Sequence, residues 1–219
     1  MSHPEGIDPV YDAARTRLGA AVRRLGHAAI GHESSLDDMN AASAELEVIA
    51  ERLEADPHRV RDLSHFGKSL QNVALDGERL ASHLGRPGSG AGSPHGLDMV
   101  VHREGDRIRA RFHFGPADEG PPQRAHGGMV ALAFDDALGF VLNMHQIIAY
   151  TGQLSVRYLG GSPLGTPLVI TAWLDRRERR KLFIESELRE DRPDAPLIAT
   201  CSAIFIEMAD HPGMSGTIS

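Results

Sequence analysis

A single cysteine, Cys201, in 219 residues leaves no partner for an intrachain disulfide, and this suits a reducing compartment. Other absences narrow the reading further. The first residues, MSHPEGIDPVYDAARTRLG, lack the apolar core of a secretory signal. No uninterrupted apolar run approaches the length of a membrane span. Positive charge is in the minority, with 23 Lys and Arg against 30 Asp and Glu, so nothing electrostatic points to nucleic acid. Together these features predict a soluble, cytoplasmic protein. Metal is not indicated either. The twelve histidines are scattered, with no H-x-x-x-H, H-E-x-x-H or cysteine pair. No G-x-S-x-G elbow is present, and Cys201 lies in an apolar run where it reads as buried filler.

What is present divides into two unlike parts. Residues 84–96, LGRPGSGAGSPHG, are dominated by Gly, Pro and Ser and predict a linker or long loop. The stretch lacks the Lys-Ser/Thr pair of a phosphate loop. Before it the spacing is helical. Val10, Arg17, Leu18, Val22 and Leu25 outline one helix that starts at Asp8-Pro9. Met39, Ala42, Leu46, Ile49 and Leu53 outline a second, closed by Asp56-Pro57. A third segment, about Val60 to Leu84, is weaker.

After the linker the pattern becomes that of strands around one helix. GLDMVVHREGDRIRARFHFG carries two short runs about Glu104-Gly105-Asp106, a hairpin signal. An apolar helix from His126 to about Asn143 follows. Four further runs alternate in polarity: IIAYTGQLSVRYL, TPLVITAWLD, KLFIESELRE and PLIATCSAIFIEM. Two strands, a helix and four strands imply an antiparallel sheet wrapped about that helix, an α+β fold. The expected boundaries are residues 1–84 for a helical extension, 85–95 for a flexible linker, 96–208 for the sheet domain and 209–219 for a disordered tail.

The stretch RAHGGMVALAFDDALGFVLN carries two adjacent acids, Asp135 and Asp136, and every other residue from Gly127 to Leu142 is apolar or glycine. A helix apolar on nearly every side is a buried one, and a buried carboxylate must find partners or neutralise. Asp135 shares a stripe with Ala131, Leu138 and Leu142, so burial is expected to make it a stronger base, or else to tie it to a structural partner. Gly127 and Gly128 stand at the helix start, where N–H groups have no internal acceptor. An anionic oxygen can approach them closely, although a tight turn alone would also call for glycine.

The order of these pieces, with AHGG at the helix start, resembles the hotdog-fold acyl-coenzyme A thioesterases, in particular the phenylacetate-type clade. EGPPQRAHGGMVALAFDDALG, YTGQLSVRYL and RRKLFIESEL carry the likeness, over about residues 96–208. The resemblance implies hydrolysis of acyl-CoA thioesters, with no metal or organic cofactor and at least a dimer, or a dimer of dimers. It implies that Asp135, nine residues after His126, is the catalytic acid, used as general base or as nucleophile. Thr151 is then its hydroxyl partner and Gly127 N–H an oxyanion donor. His126 orients the loop or contacts the thioester, or serves only as a structural hydrogen-bonder. Asp136 has no catalytic counterpart and is expected to bond across a dimer interface. Arg180 and Lys181, in a turn with Arg176, Arg177 and Arg179, match a pair that would hold coenzyme phosphates; a solvated hairpin tip is the other reading. Two departures stand out. Gly120 replaces an Asn of some relatives, and Tyr158 to Gly161 replaces a Tyr-x-Arg-Pro strand end. A hydratase or dehydratase using His126 and Asp135, and a non-catalytic acyl-CoA binder, remain open on these residues.

Overall fold

The computed structural model describes residues 8–59 and 74–208. Most of the weak third segment and the expected disordered tail lie outside them. Two helices come first. α1 spans Pro9–Gly31 and starts where Asp8 accepts from the N–H groups of Val10 and Tyr11, with Pro9 at its first position. α2 spans Leu36–Glu54 and is capped by Ser35, whose side chain accepts from Asp38 N. Residues 74–84 form turns and an extended stretch, not the third helix.

The expected two-strand, helix, four-strand order follows. β1 (Val100–Glu104) and β2 (Arg107–Phe112) form a hairpin about Gly105, whose φ of 63° is a left-handed value that glycine adopts freely. A short 3₁₀ turn at Pro116–Asp118 leads to α3 (Gly127–Met144). The remaining strands are β3 (Ala149–Tyr158), β4 (Leu168–Glu178), β5 (Lys181–Glu190) and β6 (Leu197–Glu207). All pairings are antiparallel, in the order β1-β2-β4-β5-β6-β3.

Alternation sets the inner face of the sheet. Leu182, Ile184 and Leu188 of β5 point inward with Ile108 of β2 and Leu168 and Ile170 of β4, all fully buried. They close on Phe134, Leu138, Phe140 and Val141 of α3. α3 is apolar and long enough to cross a membrane by composition, which corrects the reading that no stretch comes near that length. Here the sheet wraps it, and it is the core helix.

The two edges of the sheet differ. Beside β1, Leu80 N donates to Val101 O, Gly77 N to Arg103 O, and Arg103 N to Glu78 O, so residues 77–80 cover that edge. β3 forms the opposite edge, pairs only with β6 among the described residues, and is mostly exposed. A long open edge of this kind is a template for another strand.

The glycine-rich stretch is not strung between two separate units. Gly88 and Gly96 bridge, Leu97 N donates to Gly88 O, and Ser93 and Leu97 are buried. α1 seats on this loop by a small-residue contact. A Cβ on Gly19 would lie 2.5 Å from Gly92 C. Arg23 reaches past it, donating to Ala91 O at 3.0 Å and Ser93 O at 2.6 Å and pairing with Asp98 at 2.6 Å. His27 Nδ1 accepts from Ala117 N. The packed unit therefore begins before residue 96 and takes in α1, because backbone carbonyls of the loop need the donors that α1 brings.

Candidate active site

α3 starts as its sequence dictates. His126 is the N-cap, and its Nδ1 accepts from Gly128 N at 3.0 Å. Nδ1 is then unprotonated, which puts the ring proton of a neutral imidazole on Nε2. Gly127 is the first helical residue, so its N–H has no intrahelical acceptor. Its carbonyl accepts from the Tyr158 hydroxyl at 2.8 Å. Tyr158, read from sequence only as part of an irregular strand end, thus buttresses the helix start from the end of β3. Gly120 also has a steric reason. A Cβ there would lie 2.8 Å from His126 Cα, leaving no room for a larger side chain without moving the backbone.

The two acids have opposite surroundings, and neither sits where the sequence suggested. Asp135 is exposed in the single chain, although its stripe-mates Leu138 and Leu142 are buried. It lies at the margin of the buried face, turned toward β3. There Thr151 Oγ1 donates to its Oδ1 at 2.9 Å. Thr151 is next to a bulge at Gly152, between Thr151 and Gln153, and bulges re-aim side chains. A Cβ on Gly152 would meet Ile206 Cγ1 at 3.0 Å.

Asp136 is the buried acid, 6% exposed, and its partner comes from the same chain rather than from across an interface. Arg86 of the glycine-rich loop donates from Nε to Asp136 Oδ1 at 2.5 Å and from a terminal nitrogen to Asp136 O. Its guanidinium lies 4.4 Å from the Phe140 ring centroid. Two glycines make this possible. A Cβ on Gly139 would lie 2.2 Å from the Arg86 terminal nitrogen, and one on Gly88 (φ 82°) would lie 3.0 Å from Asp136 Oδ2. Burial pushes the Asp136 carboxyl up, and Arg86 and Ser89 only partly offset it. Arg86 and Ser89 escaped the sequence reading. Two signals were available: a glycine inside an apolar helix marks a close approach, and a buried acid demands a cation.

The basic turn joins β4 to β5. Arg179 is at its tip with φ 56°. Arg176 is held by Asp175 and Glu178 and lies over Phe183, while Arg177 pairs with Glu207. Arg180 Nε donates to Glu207 O at 2.9 Å, and Lys181 is exposed. Thr151 pairs with Phe205, and Phe205 with Leu182, so the turn starts two strands away from Thr151. Two strand spacings are about 10 Å. Cys201 is fully buried, and desolvation pushes its thiol up to about 12, which is the wrong direction for a nucleophile. No group of three or more potential metal ligands occurs among the described residues.

A six-stranded antiparallel sheet closed about one central helix, with a capped glycine pair at the helix start, is a hotdog fold. Residues 123–196 match the Thioesterase superfamily. The acyl-coenzyme A thioesterase THEM4 of Xenopus laevis is 30% identical over 110 residues, covering 50% of this chain and 49% of that protein. Its Bos taurus counterpart is 30% identical over 115 residues, covering 52% and 47%. The chain thus spans about half the length of these curated relatives, 49% and 47%. A crystal structure of a thioesterase superfamily protein covers 94% of each chain with a TM-score of 0.73 at 23% identity, so the shared architecture includes the helical extension.

Proposed function

We propose that this protein hydrolyses acyl-CoA thioesters to a free acid and coenzyme A, at a site completed by a second copy of the chain. The observation that carries the reading is the Asp135–Thr151 hydrogen bond, at 2.9 Å, on the open edge of a hotdog domain. The similarity of residues 123–196 to thioesterases supports the reaction class.

Geometry within one chain argues for two subunits. Gly127 and Asp135 lie eight residues apart on one helix, about 12 Å along its axis. One thioester carbonyl cannot meet both. Gly127 stands by the Tyr158 end of β3, and Asp135 by the Thr151 end. An antiparallel pairing of β3 with its copy across a two-fold axis reverses the strand. Gly127 of one chain is thereby brought toward Asp135 and Thr151 of the other.

In this site Asp135 takes a proton from water as the water oxygen attacks the thioester carbon. The charge that grows on the carbonyl oxygen is met by the Gly127 N–H of the other copy. Such a donor is typically worth about 2.7–4 kcal/mol. Collapse of the tetrahedral species expels the coenzyme A sulfur, which receives the proton held by Asp135. Thr151 fixes the carboxylate, and His126 caps the helix so that Gly128 N–H is satisfied while Gly127 N–H stays available. Direct attack by Asp135, giving a mixed anhydride that water then opens, uses the same groups. A thioester carbonyl is activated enough that base and oxyanion donor suffice, so the mechanism calls on no metal or organic cofactor. Arg180 and Lys181 hold coenzyme phosphates, about two strands from Thr151.

Thiol release measured over short, long and aryl acyl-CoAs, with an enoyl-CoA in parallel, tests the reaction. Free thiol from saturated substrates supports it. Loss of enoyl absorbance without thiol would replace it by hydration. Complementation tests the shared site. Gly127→Pro removes that N–H at a helix position that tolerates proline. Homogeneous Gly127→Pro and Asp135→Asn proteins should both be inactive. Their co-expressed mixture should recover activity, since one of the two sites in a mixed dimer is intact.

A further inference from the structure

The helical extension carries an apolar surface that the described residues of its own chain leave exposed. α1 is two-sided. Gly19, Arg23 and His27, at four-residue steps, face the glycine-rich loop and the 3₁₀ turn. Leu18, Val22 and Leu25 form a second stripe and are exposed. α2 has no buried residue at all, and Met39, Leu46, Ile49 and Leu53 are 40–51% exposed.

The two stripes fit each other. Ala14, Leu18, Ala21, Leu25 and Ala28 advance by three and four along α1, and Met39, Ala42, Leu46, Ile49 and Leu53 do the same along α2. These are heptad seams. In one antiparallel alignment all five layers coincide: Leu18 meets Ile49, and each of the other four sets an alanine against a larger residue, as in Ala21 with Leu46 and Leu25 with Ala42. Facing large and small residues interdigitate without voids. Charge agrees. α1 carries four arginines and one aspartate, whereas α2 carries six acidic residues and one arginine. Arg17 and Arg24 flank the first seam, and Asp38 and Glu45 flank the second on the side that an antiparallel pairing brings opposite.

Among the described residues the pairing is not made within the chain. α2 does not pack along α1. The joint, residues 32–35, is extended at both ends, with His32 at φ −134°, ψ 143° and Ser35 at φ −66°, ψ 156°, and it leads α2 away from α1 instead of turning it back. We propose that α2 docks antiparallel on α1 of a second copy, and that the second copy returns its α2 to the first. A reciprocal exchange of one element closes on a two-fold axis and covers both seams.

Cross-linking of two differently tagged, co-expressed full-length chains tests this, one bearing Leu18→Cys and the other Ile49→Cys. Both positions are exposed, and the native Cys201 is buried. Mild oxidation should yield a disulfide-linked species carrying both tags. Arg17→Glu with Arg24→Glu in the first chain should cut its yield severalfold, and Asp38→Arg with Glu45→Arg in the second should restore it. Absence of the two-tag species overturns the proposal. So does an internal disulfide, without two-tag product, when both cysteines are placed in one chain, since that would mean closure onto the chain's own α1. A yield indifferent to the charge reversals also overturns it.

Discussion

The two sides of α3 make an instructive contrast. One side, at Asp136, is closed by the chain itself: Arg86 spans from the glycine-rich loop to the carboxylate and the helix backbone, and Gly88 and Gly139 make room for it. The other side, at Asp135, is open beside the free edge of β3, where among the described residues the Thr151 hydroxyl bonds it. Adjacent residues on a helix point about 100° apart. That alone sends two identical side chains into different chemistry. The closed side pairs its carboxylate with a cation of the same chain through Oδ1, while Oδ2 has no hydrogen-bond partner among the described residues, and it serves stability. The open side has a carboxylate that solvent can reach.

The sharpest way to break this contrast is to neutralise each acid separately. Asp135→Asn should keep the fold and lower kcat for acyl-CoA hydrolysis roughly 10²–10⁴-fold, the usual worth of a positioned general base. Asp136→Asn should lose far less activity and more stability. Thiol-release kinetics alongside thermal melts measure both, and equal near-wild-type rates in the two variants would end the mechanism proposed here.

Arg86→Ala attacks the closed side from its partner. Leaving a buried carboxylate without its cation should cost about 3–5 kcal/mol at neutral pH. The sign of its pH dependence follows from Asp136, whose folded value already lies above the ordinary one because of burial. Such a group favours the fold most where it is protonated, and that contribution is lost as pH rises through the folded value. Without Arg86 the value rises further. The deficit against wild type should therefore shrink, in denaturant titrations, as pH falls through that raised value. A deficit independent of pH would mean that Arg86 acts by packing on Phe140 alone.

Gly139→Ala is a smaller perturbation of the same contact. Alanine favours helix by up to about 1 kcal/mol. The new methyl, however, would lie 2.2 Å from the Arg86 nitrogen, and overpacking of that kind costs roughly 1–3 kcal/mol. A net loss of stability is expected, and a gain would show that the loop gives way freely.

The smallest effect should come from the basic turn. Replacing Arg180 and Lys181 together by Ala should raise KM for acyl-CoA by up to roughly tenfold, as expected for exposed charge contacts. An acyl-pantetheine lacking the nucleotide should be hardly affected. Equal effects on both substrates would leave the turn a structural hairpin, in keeping with the Arg180 bond to Glu207 O.

Local chemistry sufficed for much of this protein. Asp8-Pro9 set the start of α1, Gly105 the β1–β2 turn, and alternation in KLFIESELRE the inner face of β5, because caps, left-handed turns and the two-residue period act within a few residues. The pairing of Asp135 with Thr151 was legible only through family spacing. What sequence alone could not decide was which acid would be buried. It could not show that a glycine-rich stretch would be packed, or that one sheet edge would be covered by residues 77–80 while β3 stayed open. Those outcomes depend on contacts such as Arg86 with Asp136, 50 residues apart, and Arg23 with Ser93, 70 apart. The residues signal that partners are needed, since buried charges and carbonyls must be satisfied, but only the tertiary arrangement decides which distant group reaches them.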